Sequence, residues 1–201
     1  MMSIKTIGLC VTAAFLLACA SNTKPPLEAS PAVEKTPPPI VAHLPHRIGG
    51  YEYAGFTEYG PGLGYSLRYI KKGLQGNYAD IYIWPVPKEA QKYSHEEIVY
   101  GVTEGSLQDI YEMQNRGIYE KVELIDRLAY GSSEQLVTMH RLVMLRENRK
   151  TLSFLYLTEY QGRLLKARVS LPDNEANRSS DEVKQFVLEI FNRIIANTHE
   201  R

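Results

Sequence analysis

The sequence predicts an α+β domain over 46 to 201: an antiparallel β-sheet with two helices packed on it, in the order β-β-β-α-β-β-β-β-α. Three observations carry this. Between 51 and 84 short aromatic-rich runs alternate with glycine turns, the mark of strands and hairpins. At Ser94-His95-Glu96-Glu97 a capping box changes the period from two to that of a helix. From Val183 to Ile195 apolar residues recur at helical spacing directly after a run of alternating strands.

The first strand spans 51 to 59 and ends at the turn Gly60-Pro61-Gly62-Leu63-Gly64. The second, 65 to 70, sets Tyr65, Leu67 and Tyr69 on one face. After the glycine-containing turn at 71 to 77 comes the third, 78 to 84. It carries Ala79, Ile81 and Ile83 on one side and Tyr82 and Trp84 on the other, and Pro85 and Pro87 stop it. The first helix starts at the capping box and runs to about Arg116, with Gly117 as its left-handed cap. Its expected apolar stripe is Ile98, Val102, Ile110 and Met113, and the spacing of Gly101 and Gly105 points to close packing on the sheet.

Four strands follow, at 119 to 129, 134 to 146, 151 to 160 and 163 to 171. In the last, Leu165, Ala167, Val169 and Leu171 alternate with Lys166, Arg168 and Ser170, so one face is expected to be wet. Ser179 and Glu182 form a second capping box, and the stripe Val183, Phe186, Val187, Ile190, Ile194 and Ile195 then needs a sheet face to lie on. This element order resembles the PsbP-type fold, also found in the bacterial lipoprotein DcrB. No residue motif accompanies the resemblance, so it implies no functional residues.

Ahead of the domain, Lys5 is followed by an apolar run from Ile7 to Ala18, too short for the ~20 residues of a membrane-spanning helix. A positive start and a short apolar core are the features of a signal peptide, here 1 to 18. Two cleavage readings share its end. Ala18-Cys19-Ala20 fits the A-x-A site that releases a soluble chain beginning at Ser21. Leu16-Leu17-Ala18-Cys19 resembles the lipobox of bacterial lipoproteins. That resemblance implies a diacylglycerol on the Cys19 sulfur and attachment to a membrane through this lipid. With Ala20 and Ser21 after the cysteine, it further implies the outer membrane of a Gram-negative host, facing the periplasm.

Cys10 is the only other cysteine and lies within the leader, so every residue after Cys19 is thiol-free. This suits an oxidising compartment and rules out disulfides, metal thiolates and cysteine nucleophiles in the folded part. Residues 19 to 45 form the expected lipidated end and tether. Seven of the eleven prolines fall between 20 and 45, and the composition is too poor in apolar groups to offset ordering entropy. Removing Lys5 leaves 22 basic residues against 23 acidic, net −1, with no long basic run, which makes nucleic acid an unsuitable partner.

Catalytic patterns are not apparent. Gly60-x-Gly62-x-Gly64 leads into a strand, whereas phosphate-cradling loops lead into a helix, so it is a hairpin turn. His43 and His46 lack a third ligand nearby, and no metal or cofactor is expected. His95 is expected to face water in the first helical turn, and His140 to sit as a satisfied strand histidine. Gly131-Ser132-Ser133 is a turn, and no activated serine is evident. Tyrosine is abundant, at 14 residues, many of them in the first three strands. Aromatics favour strands, and they also suit recognition surfaces because they join rigid apolar area to a polar tip. Tyr65, Tyr69, Tyr82 and Trp84 are the candidate binding residues. The sequence is thus read as a non-catalytic envelope module that binds a protein or cell-wall partner; the alternative is a periplasmic hydrolase or small-ligand carrier with a site built from scattered residues.

Overall fold

The strand signals resolve into one sheet of eight strands. In the computed structural model, which describes residues 39–73, 76–133, 135–174 and 181–197, these are β1 (Arg47–Ile48), β2 (Tyr51–Glu58), β3 (Tyr65–Lys71), β4 (Tyr78–Pro85), β5 (Lys121–Tyr130), β6 (Val137–Arg146), β7 (Arg149–Tyr160) and β8 (Arg163–Pro172). Every neighbouring pair is antiparallel, and the spatial order is β1-β2-β3-β4-β8-β7-β6-β5. Two meanders are therefore joined where the last strand, β8, returns beside β4. Helix α2 (His95–Asn115) lies between the meanders in sequence, and α3 (Asp181–Ala196) follows them. The α+β class and the antiparallel sheet with two packed helices are as expected. The two-residue β1 was not foreseen, being too short to show a period.

The helices pack on opposite faces. Along β7, Leu152, Phe154 and Tyr156 join the core beneath α3 together with Tyr51, Leu67, Tyr69, Ile81, Val169, Phe186, Val187 and Ile190. The alternate residues Leu155 and Leu157 lie on the α2 side, with Leu107 and Val99 respectively. Phe186 is buried, as expected for the centre of the C-terminal stripe. The serine of the second capping box, Ser179, lies outside the described residues. Glu182 is ion-paired to Lys71 at 2.8 Å.

The capping box of α2 forms as read: the Ser94 hydroxyl accepts from the Glu97 N–H, and the Glu97 carboxylate accepts from the Ser94 N–H. The buried stripe differs from the expected one. It consists of Val99, Thr103, Ser106, Leu107 and Ile110, whereas Ile98, Val102 and Met113 are only half-buried. Thr103 can enter the core because its hydroxyl meets the Val99 carbonyl (2.7 Å) and the Thr138 hydroxyl (2.8 Å), so no polar group is left stranded. Gly101 and Gly105 are solvent-exposed, and a Cβ on either would meet nothing within 4 Å. They do not mark a close approach to the sheet.

The packed chain also begins before the expected boundary at 46. A helical turn, α1 (Pro39–Ala42), places Val41, 8% exposed, in the core beneath α3, and Leu44 packs against the same cluster. The Pro45 carbonyl accepts from the Tyr69 hydroxyl at 3.2 Å. Composition concealed this because two apolar anchors suffice to hold a proline-rich segment when an apolar surface is already present. A chain shortened to begin at His46 is expected to melt on the order of 5 °C lower than one beginning at Pro38, from the ~1.5–3 kcal/mol of burying one aliphatic side chain. Equal melting temperatures in a thermal scan would contradict the packing of α1.

Candidate functional site

Strand register brings together what sequence distance separates. Across β3, β4 and β8, Arg68 lies opposite Asp80 and Asp80 opposite Arg168. In the next row Ser66, Tyr82 and Lys166 stand abreast, and in the row before it Ile70, Tyr78 and Ser170. These rows occupy the face that carries α2, but α2 packs chiefly on β5, β6 and β7. The part of the face formed by β3, β4 and β8 therefore displays a mixture of aromatic rings and cations.

Its geometry is built from paired groups. The Arg68 guanidinium forks onto Asp80, with Nε–Oδ1 at 2.7 Å and Nη2–Oδ2 at 2.8 Å. These bonds hold the Arg68 pKa above its ordinary value and keep the Asp80 charge neutralised. The guanidinium carbon lies 5.3 Å from the Tyr78 ring centre. Lys166 Nζ sits 4.8 Å from the Tyr82 ring centre and 5.5 Å from that of Trp84, a cation shared by two aromatic faces. The Tyr59 ring is nearly parallel to Tyr82, at 12° with centroids 6.4 Å apart, and its hydroxyl donates to Ser66 Oγ at 2.9 Å. Arg168 Nη2 donates to the Tyr119 hydroxyl (2.9 Å) and the Met144 sulfur (3.4 Å). The face of β8 expected to be wet is thus partly roofed by the segment after α2.

The four candidate aromatics do not share one surface. Tyr65 and Tyr69 pair with Ile83 and Ala79, so they point beneath α3, while Tyr82 and Trp84 point to the opposite face. Tyr69 is 0% exposed, edge-on to Phe186 at 5.6 Å, and burial pushes its phenol up to about 12. It is a core residue and offers no surface to a partner. Tyr65 packs half-buried at the margin of the same core. Tyr82 and Trp84 are brought together, joined by Tyr59, Tyr78, Arg68, Lys166 and Arg168. The signal for the cations was the alternation in β8, but only the β4–β8 pairing shows which aromatics they meet.

His95 is occupied structurally. His95 does not face water as expected: its Nδ1 lies 2.6 Å from Glu159 Oε2, and its Nε2 accepts from the Leu136 N–H at 3.2 Å. The other oxygen of Glu159 accepts from the Gly162 N–H at 2.6 Å. His95 therefore ties the start of α2 to β7 and to the entry of β6, and both ring nitrogens are engaged. His46 lies edge-on to Tyr53. Among the described residues, no three His, Cys, Asp or Glu side chains gather as a metal-binding set.

His140 is buried within β6, but it is not the satisfied histidine expected: its Nδ1 has no hydrogen-bond partner among the described residues, and its pKa is lowered by desolvation first and then by Arg127, with Glu104 opposing. Because the folded pKa lies below the unfolded value of 6.5, the unfolded chain binds the proton more readily as pH falls. The His140 contribution is thus absent above about pH 6.5 and becomes destabilising below it, by at most about 1.4 kcal/mol per pH unit until the folded pKa is reached. Denaturant melts of wild type and His140→Gln between pH 7.5 and 5 are expected to diverge, with the variant losing less. Parallel curves would remove His140 as the cause.

No family profile and no curated protein matches the chain. Among solved structures, cyanobacterial PsbP (CyanoP) from Synechocystis, a solution structure, is similar over 72% of this chain and 85% of its own length, at 15% identity and a TM-score of 0.44. A likeness at this level says nothing about ligand or partner.

Proposed function

We propose that the chain is a cell-envelope lipoprotein, anchored through lipid on Cys19 and facing the periplasm from the outer membrane, whose domain is a non-catalytic binding module. The observation that carries the binding reading is the aromatic–cation face of β3, β4 and β8. There Tyr59, Tyr78, Tyr82 and Trp84 interleave with Arg68, Lys166 and Arg168 beyond the strands that α2 covers. Rings with polar tips and cations held over them favour recognition over chemistry. Support for the anchor comes from the lipobox-like Leu16-Leu17-Ala18-Cys19 and the absence of any later cysteine.

Two measurements test this reading. Metabolic labelling with a fatty acid is expected to mark the wild-type chain and not Cys19→Ser; equal labelling, or a mature N-terminus at Ser21, defeats the anchor. A photo-crosslinking amino acid at position 82 is expected to give a discrete adduct in intact cells, while the same group at Gln185 on the outer surface of α3 gives none. Identical patterns from the two positions would remove the assigned face.

A further inference from the structure

The two faces of the sheet hold their helices by different means. Among the described residues, one continuous cluster of 22 buried apolar residues lies beneath α3. The buried stripe of α3 is itself wholly apolar: Val183, Phe186, Val187, Ile190, Phe191 and Ile194. On the α2 side the buried apolar residues fall into two separate clusters of six, one around Val99 and one around Leu107 and Ile110. Thr103 stands between these on the helix, its hydroxyl against that of Thr138 on β6. With Ser106, it makes two of the five buried residues of α2 polar.

The floor on the α2 side is polar as well. Register puts His140, Leu155 and Arg168 in one row and Leu142, Ser153 and Ser170 in the next, all on that side. His140 Nδ1 and the hydroxyls of Ser153 and Ser170 are buried without a hydrogen-bond partner among the described residues. Within the α3 cluster the one such group is the Tyr156 hydroxyl. A polar group that stays unpaired is desolvated each time its cover closes, so covering this floor costs free energy that an apolar floor does not. The ties that hold α2 lie at its margins. His95 meets Glu159 at its start, Arg127 donates to Glu104 midway, and Gln114 Oε1 accepts from the Val122 N–H at its end. Glu104 and Arg127 are both more than half exposed, so their pair adds little.

We infer that α2 is a lid: it leaves the sheet as one body while the strands and α3 stay folded, and it does so far more often than the domain unfolds. Segments that open ahead of the whole are the ones with few buried apolar contacts, and α2 fits that description where α3 does not. Opening joins the floor of β6 and β7 to the uncovered rows of β3, β4 and β8. Asp80, Arg168, Leu155 and His140 form a single row across β4, β8, β7 and β6. The lid is independent of what that face binds. Once detached, a 21-residue helix carrying Gly101 and Gly105 holds its own hydrogen bonds only marginally in water, so its amides report the opening.

Amide exchange of the full chain, resolved to single residues, tests this. Protection over 101 to 112 is expected to be about tenfold or more below that over 186 to 194, and nearly uniform along the segment. Ile190→Val then separates the two units, because Ile190 belongs to the α3 cluster and stays buried when α2 opens. The variant should lower the protection of α3 by roughly three- to tenfold and leave that of 101 to 112 unchanged. A wild-type ratio below about tenfold means that α2 opens only with the whole domain. A gradient running inward from the ends of α2 means fraying. An equal fall of both helices in Ile190→Val means a single cooperative unit. Each of these three results overturns the inference.

Discussion

Phe186→Ala is expected to lower the stability of the domain by about 3–5 kcal/mol and its melting temperature by roughly 10 °C, with the sheet and α3 melting together. The side chain is 1% exposed at the centre of the larger core. It stacks on Tyr51 with centroids 4.3 Å apart and meets Tyr69 edge-on, so its removal forfeits two aromatic contacts as well as its own burial. Gly49 approaches the same side chain so closely that a Cβ there would lie 3.4 Å from the Phe186 Cβ, which leaves little backbone freedom to collapse into the gap. Against a usual total of 5–15 kcal/mol, this loss is a large share. Amide exchange supplies the decisive reading. If 183 to 195 exchange as freely as an unprotected segment in the wild type, α3 is a mobile arm and the variant will scarcely change the melt.

The second large effect lies at the β2–β3 turn. Gly64 has φ +84°, and a Cβ there would run into the Ile83 carbonyl and lie 2.7 Å from the Trp84 Cβ. Gly64→Ala therefore combines a left-handed backbone penalty of ~1–2 kcal/mol with overpacking of ~1–3 kcal/mol, together about 3 kcal/mol. The strain falls on β4 where Trp84 belongs to the aromatic–cation face, so Trp84 emission should shift along with the loss of stability. Gly62→Ala is the matched control: φ is +74°, but nothing lies within 4 Å of the added carbon. It should lose only the backbone term and leave the emission as in wild type. Equal losses for the two variants would mean that the contact with β4 is relieved by local movement.

Local signals in the sequence reached the elements and stopped at their assembly. The alternation of β3, β4 and β8, the Ser94–Glu97 box and the stripe around Phe186 each follow from residue spacing within one segment, and each is found in place. The candidate site required something that no segment contains. Which face of β3 Tyr69 shares with β4 depends on pairing register, and the approach of Lys166 to Tyr82 depends on β8 lying beside β4, more than eighty residues on. Half of the expected aromatic set therefore lies on the other side of the sheet, although the alternation within β3 and within β4 is as expected. α1 was missed for a related reason: Val41 is held by a surface that only the assembled sheet provides. Thr103 was missed because a buried threonine depends on partners from its own helix and from β6.

The two borders of the sheet have a consequence for crowding. On one side β1 covers β2 for only two residues, and β2 shifts register between Tyr53 and Gly55. On the other, β5 shifts register between Leu124 and Asp126 and carries Lys121, Glu123, Asp126 and Arg127 along its length. Bulges and charges spoil an edge as a template for a further strand. Where copies of a domain crowd together, an open, regular edge would seed sheet-to-sheet polymerisation. Irregular borders let such copies stay dispersed without a dedicated cap.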